Sequence, residues 1–186
     1  NEQDNTPYIG KIQHKQALDL NLALDGLTLN IRQFADFLNL LKSGKAFYAD
    51  GSKADKTLLD NILDEIITVR TPWRAEWFDN SFGKNTTTYH KFNTNGKLVE
   101  VTEDLDPDTL MEDKTPGIDL NSWLRNPTTQ GLPRKNITNG DLHYWYPRDG
   151  YVAGFVASSD WAGLYCNRYP QYSNPDLGVR HAKIKK

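Results

Sequence analysis

The chain has 186 residues, 38% hydrophobic and 25% charged, with a formal charge of −2. That is a soluble globular balance, long enough for one well-buried domain and short for two. It excludes a disordered chain and a general attraction to nucleic acid or acidic membranes. No apolar run approaches the roughly 20 residues of a membrane span, so no membrane insertion is expected. Cys166 is the only cysteine, which leaves no internal disulfide. Aromatics reach 11%, with five Trp and nine Tyr, a richness that suits a binding surface. About half of them are expected simply to fill the core.

The opening NEQDNTPYIG has neither the basic nor the apolar region of a signal peptide, and residues 1–15 read as an extended or flexible arm. From Ala17 to Asp25, Leu18, Leu20, Leu22 and Leu24 alternate as in a half-buried strand, and Asp25-Gly26 marks a turn. Asn30 can cap a helix in which Ile31, Phe34, Phe37, Leu38 and Leu41 share a face, with Gly44 where it stops. Ser52 with Asp55 three residues on is a capping-box variant that starts a second helix running to about Val69. TPWRAEWFDNSFG then reads as aromatic and turn-rich. Asn95-Gly96, between TYHKFNT and KLVEV, is the strongest short hairpin signal in the chain.

Glu100 to Asp119 is an acidic, Pro-containing stretch, and Asn121 to Gly140 continues as loop, with one helical turn at LNSWLR. This region is too long for a simple connection, so it is either functional or packed into the fold. Strands return at DLHYWYPRDG and continue through Tyr151–Arg180 to LGVRHAKI. Within that last stretch Ala153, Phe155, Ala157, Ala162, Leu164 and Cys166 can lie on a core. Their alternates Gly154, Val156, Ser158, Trp161, Gly163, Tyr165 and Asn167 point the other way. This outer set mixes several chemistries and lacks the Lys, Glu and Thr of a solvated face. The working surface is expected here.

Established chemical motifs are mostly missing. Asp104, Asp106 and Asp108 begin like a calcium loop, but Thr109 and Thr115 stand where an EF-hand needs Gly and an acid. The four histidines are scattered away from ligand spacing, and Cys166 falls on the inward face, where a small buried thiol is the commonest role. No nucleophile elbow, phosphate loop or dinucleotide fingerprint occurs. Trp73, Glu76 and Trp77 could line a sugar site, though such a cluster more often anchors loops to a core. Asn85 and Asn136 open short glycosylation sequons. Neither an enzyme nor a bound cofactor or metal is indicated.

The order of elements resembles the C-type lectin fold, an α+β arrangement of two helices packed on a small mixed or antiparallel sheet with long loops. Arg148-Asp149-Gly150, Asn167-Arg168-Tyr169-Pro170 and Leu177-Gly178-Val179-Arg180 resemble the ending of its formylglycine-generating-enzyme branch. With PWRAEW, MEDKTPGIDL, GLPRKN, LHYWYPRD and LGVR, the chain resembles the variable proteins of diversity-generating retroelements, of archaeal or archaeal-virus type. It departs from their pattern at Asp149, Val152 and Val179.

The resemblance covers roughly Ala17 to Ala182. It implies one lectin-like domain over residues 1–186, with a variable strand region at 151–180 subject to massive sequence variation. The ligand-binding positions it implies are Gly154, Val156, Ser158, Trp161, Gly163, Tyr165, Asn167, Tyr169, Tyr172 and Asn174. Adenine substitution of an Asn codon reaches most of these residue types, but not Trp161. The implied role is non-enzymatic: binding a protein or glycan ligand on a host or target cell, from a virion or cell surface, with a homo-oligomer allowed. The alternatives are a calcium-dependent carbohydrate-binding lectin and an enzyme related to formylglycine generation, against which a single cysteine argues.

Overall fold

Helix capping sets the frame. In the computed structural model, which describes residues 11–48 and 50–183, the first helix, α1, spans His14–Ala23 and the second, α2, Ile31–Ser43. At the head of α2 the Asn30 side chain accepts from the Gln33 amide, and the Gln33 side chain accepts from the Asn30 amide. Two otherwise unpaired donors are thus satisfied reciprocally. Gly44 ends α2 in the left-handed conformation, at φ 65°. Helix α3, Lys56–Ile67, begins three residues later than Ser52 suggests. Asp55 itself is the cap, accepting from the Leu58 amide, while the Ser52 hydroxyl turns back to Asp50.

The strands are β1 (Arg74–Gly83), β2 (Thr86–Phe92), β3 (Leu98–Asp104), β4 (Lys114–Ile118), β5 (Leu142–Trp145), β6 (Val152–Ala157), β7 (Ala162–Arg168) and β8 (Leu177–Gly178), with helix α4 at Leu120–Arg125. They form one mixed sheet ordered β3-β2-β1-β6-β7-β5-β4, with β8 beside β1. The β5–β7 and β1–β8 pairs are parallel and the others antiparallel. The architecture is therefore α+β, with four helices and eight strands among the described residues. The β2–β3 hairpin turns at Asn95-Gly96 as expected: Phe92 faces Leu98, and Gly96 has φ 71°.

Three expectations are corrected. Ala17–Asp25 is not a strand, because α1 runs from His14. HKQALDLNLA contains no β-branched residue and is rich in helix formers. Its buried positions, His14, Ala17 and Asn21, follow helical spacing, whereas Leu22 and Leu24 are 47% and 49% exposed. Nor do residues 11–15 form a free arm. The Lys11 amide donates to the Asn174 and Leu177 carbonyls, and the His14 amide donates to Pro170. Residues 1–10 of that expected arm lie outside the described residues. Finally, the segment after Pro72 is the long strand β1, paired with β2, β6 and β8. Nearly all of it is buried, so it lacks the polar alternation that marks a half-exposed strand.

The acidic region is packed into the fold. Leu110, Ile118, Trp123, Leu124 and Leu132 all join the main core, and Trp123 Nε1 donates to the Gly131 carbonyl. That core lies between α2, α3 and one face of the sheet, where Phe34 meets Phe78 and Phe155. Ala153, Phe155, Ala157, Ala162, Leu164 and Cys166 all belong to it, as the alternation predicts.

A second, smaller core occupies the opposite face. It gathers Ala17, Ala75, Trp77, Val152, Val156, Leu177 and Val179 under α1 and the C-terminal segment. His14 is buried here, edge-on to Trp77, and its Nε2 donates to the Phe78 carbonyl. Burial lowers the His14 pKa below the usual 6.5, against the raising effects of that carbonyl and of Asp79. His14 therefore contributes stability that is present above pH 6.5 and lost as pH falls toward its lower folded value. Asp79, raised by burial, has the opposite slope: its contribution is lost as pH rises through its folded value. Melting curves between pH 7 and 5 should show an acid loss with a His14 share of at most about 1.4 kcal/mol per pH unit. His14→Gln, which keeps a donor for Phe78, should flatten it.

Candidate functional site

Beyond the second core the sheet face opens, and the pairing register determines which residues share it. One cross-strand row runs Trp77, Gly154, Tyr165, Trp145, and the next runs Ala75, Val156, Gly163, His143. The first two members of each row are covered. The last two strands, β7 and β5, carry the uncovered part.

There the rings form a continuous array. Trp145 stacks on Tyr165 with centroids 3.9 Å apart and planes at 12°. Trp161 stacks on His143 at 5.7 Å and 14°, and meets Trp145 and Tyr165 edge-on or tilted at 5.4 Å. These four side chains are half-buried, each ring having neighbours on the sheet and an edge toward solvent.

Arg168 closes one end. Its guanidinium lies 4.7 Å from the Tyr165 ring centroid, 5.4 Å from Tyr172 and 5.9 Å from Trp77. Among the described residues no carboxylate pairs with it and its buried Nε–H has no hydrogen-bond partner. Burial lowers its pKa from the usual value, yet a guanidinium remains charged. Burial also pushes the Tyr165 hydroxyl up to about 12, so this phenol stays neutral. Tyr165, Asn167, Arg168, Tyr169 and Tyr172 together line an open depression of about 240 Å³.

The predicted positions divide accordingly. Trp161, Tyr165, Asn167, Tyr169 and Tyr172 come together on this face, and Tyr169 and Tyr172 are 64% and 42% exposed. Gly154 and Val156 do not face outward. Both are buried: Val156 lies within the second core, and a Cβ at Gly154 would stand 2.8 Å from the Glu76 carbonyl oxygen and 3.8 Å from the Trp77 ring. Gly163 is also buried: a Cβ there would stand 2.2 Å from the His143 carbonyl oxygen. Ser158 shapes the β6–β7 turn, its hydroxyl accepting from the Asp160 and Trp161 amides. Asn174 caps a local turn through the Asp176 amide, and its carbonyl accepts from Lys11.

Sequence reasoning passed over His143, Trp145 and Arg168. The H-Y-W alternation around buried Tyr144 does place His143 and Trp145 on one side, but nothing local says that β5 lies parallel to β7.

Other candidate chemistry is occupied. Arg134 lies 2.9 Å from Asp108 and 3.7 Å from Asp106, so the acidic triplet region is internally paired. Among the described residues no group of three or more His, Cys, Asp or Glu side chains is placed to hold a metal ion. Cys166 is fully buried in the main core, and burial raises its thiol well above the usual value. Glu76 of PWRAEW is bound to Arg180 through two 3.0 Å hydrogen bonds, and Trp77 Nε1 donates to Ile12. That cluster anchors the segments around Ile12 and Arg180 to β1.

No family model, curated protein or solved structure matches this chain.

Proposed function

We propose that the protein is a non-enzymatic binding module of C-type lectin type whose C-terminal face is diversified by a retroelement and engages a protein or glycan ligand on a host or target cell. The observation that carries this reading is the open array of Trp145, Trp161, Tyr165, Arg168 and Tyr172, backed on its far side by a closed core. Tyr, Trp and Arg are the residues that dominate binding hot spots. A surface built on a rigid sheet also loses little freedom when it docks. The internally paired Asp106 and Asp108 weigh against calcium-dependent sugar binding, and the buried Cys166 thiol weighs against formylglycine-type chemistry.

The reading divides the outer residues into two classes. Tyr169 and Tyr172 sit at the solvent edge, with half-buried Asn167 in the same depression, and the two tyrosines should accept most side chains with stability changes within about 0.5 kcal/mol. Trp161 stacks on His143 and Tyr165 on Trp145, the two meeting at a tilt, and their replacement by Ala should cost about 1 kcal/mol or more. A displayed library randomised at Asn167, Tyr169 and Tyr172 tests this without knowledge of the natural ligand. Most clones should remain folded, and selection against an arbitrary target protein should yield binders that lose binding on Trp161→Ala. A library that mostly fails to fold, or folded clones that bind independently of Trp161, would overturn the reading.

A further inference from the structure

Among the described residues the charge at Arg168 has no counter-charge. Its neighbours are three aromatic rings, its Nε–H finds no acceptor, and the Asn167 Oδ1 beside it is likewise buried without a partner. Both residues line the same open depression, about 240 Å³ in volume, at the end of the aromatic array. A half-desolvated guanidinium without a carboxylate is costly unless something supplies the missing acceptors. Three rings flank the guanidinium, and the residue lines the open depression, so an acceptor entering there would meet the fork. A guanidinium fork matches a carboxylate in a bidentate manner.

Resting on the binding-face reading above, we infer that this depression is an anion subsite in which Arg168 takes a carboxylate of the ligand, supplied by an Asp or Glu side chain on the surface of a protein partner. The flat Trp145–Tyr165 and Trp161 rings next to it favour a protein over an isolated small molecule. Such an array contacts apolar surface around a single charged anchor, the arrangement of a protein hot spot with its rim. The Asn167 amide lies within the same depression and can serve a backbone group flanking the acid.

The test uses the whole chain and two blocked peptides, identical except for a central Glu or Gln between Tyr residues, with a sialylated trisaccharide as a third probe. Binding is followed by the Arg168 Nε–H resonance and by tryptophan fluorescence. The Glu peptide should shift the Arg168 resonance and bind about tenfold tighter than the Gln peptide, the difference expected of a charge-assisted hydrogen bond. That preference should vanish in Arg168→Gln and shrink in Arg168→Lys, with Tm compared across the variants to exclude unfolding. It should also fall with added salt.

Equal binding of the two peptides, or no shift at the Arg168 resonance with any probe, overturns the subsite. A shift produced by the sialylated trisaccharide and not by the Glu peptide overturns the assignment to a protein partner. Neither result touches the wider binding face, which stands or falls on the Trp161-dependent library.

Discussion

Glu76→Ala should lower the stability of the protein by about 3–5 kcal/mol, read as a shift in the urea midpoint at constant slope. Against the usual 5–15 kcal/mol for a natural domain this is a large fraction. Glu76 sits on β1, the strand that joins the two halves of the sheet, and its side chain is only 7% exposed. Arg180 reaches it from the segment after β8 with both Nε and Nη2 at 3.0 Å, and lies over the Phe37 ring at 5.2 Å.

The pair therefore ties the C-terminal segment to β1 and α2, and that segment brings Leu177 and Val179 into the second core. Removing the carboxylate alone leaves a largely buried cation without its partner, which is the costly way to break such a pair. Glu76→Leu with Arg180→Leu removes both charges and should recover most of the loss. If Glu76→Ala costs less than about 1 kcal/mol, the value of an exposed pair, then the tie does not hold the second core in place.

Gly163→Val should cost about 3 kcal/mol and should also disrupt the aromatic face. The reason is backbone proximity. A Cβ at position 163 falls 2.2 Å from the His143 carbonyl oxygen, 2.8 Å from its carbonyl carbon and 2.9 Å from its Cβ. Strands β5 and β7 must then separate along a ladder that also pairs Tyr144 with Leu164 and Trp145 with Tyr165. The Trp145–Tyr165 stack depends on that register, so the near-UV circular dichroism of the tryptophans should weaken with the stability. Wild-type stability together with an unchanged near-UV spectrum would contradict the packing described. Gly163 therefore cannot carry a side chain without parting β5 from β7.

Much of the fold is legible where the signal is local. Asn30, Gln33 and Gly44 mark both ends of α2 through hydrogen bonds and a left-handed residue that involve only neighbouring positions. Asn95-Gly96 likewise marks its hairpin. The inner face of β6 and β7 follows from alternation, since a period of two requires one side to be buried.

What remains hidden depends on distant partners. The leucines of α1 alternate, but helix propensity and the packing of Ala17 and Asn21 beneath the sheet prevail. Strand β1 carries no periodicity because both of its faces are covered. For the site, Trp161 and Tyr165 are recognisable from their place opposite a buried set. Gly154 and Val156 have the same rhythm yet are buried, Gly154 against β1 and Val156 in the second core, and Arg168 becomes a feature only once Tyr172 and Trp77 are brought around it.

Sequencing of the genomic neighbourhood that encodes Tyr151–Arg180 tests the proposed diversification directly. A near-identical template copy is expected beside a reverse-transcriptase gene, differing mainly at adenines. Those differences should fall in the codons for Tyr165, Asn167, Tyr169 and Tyr172, with the codons for Val156 and Gly163 unchanged. Absence of any such copy, together with the same outer-face residues fixed among close relatives, would contradict it.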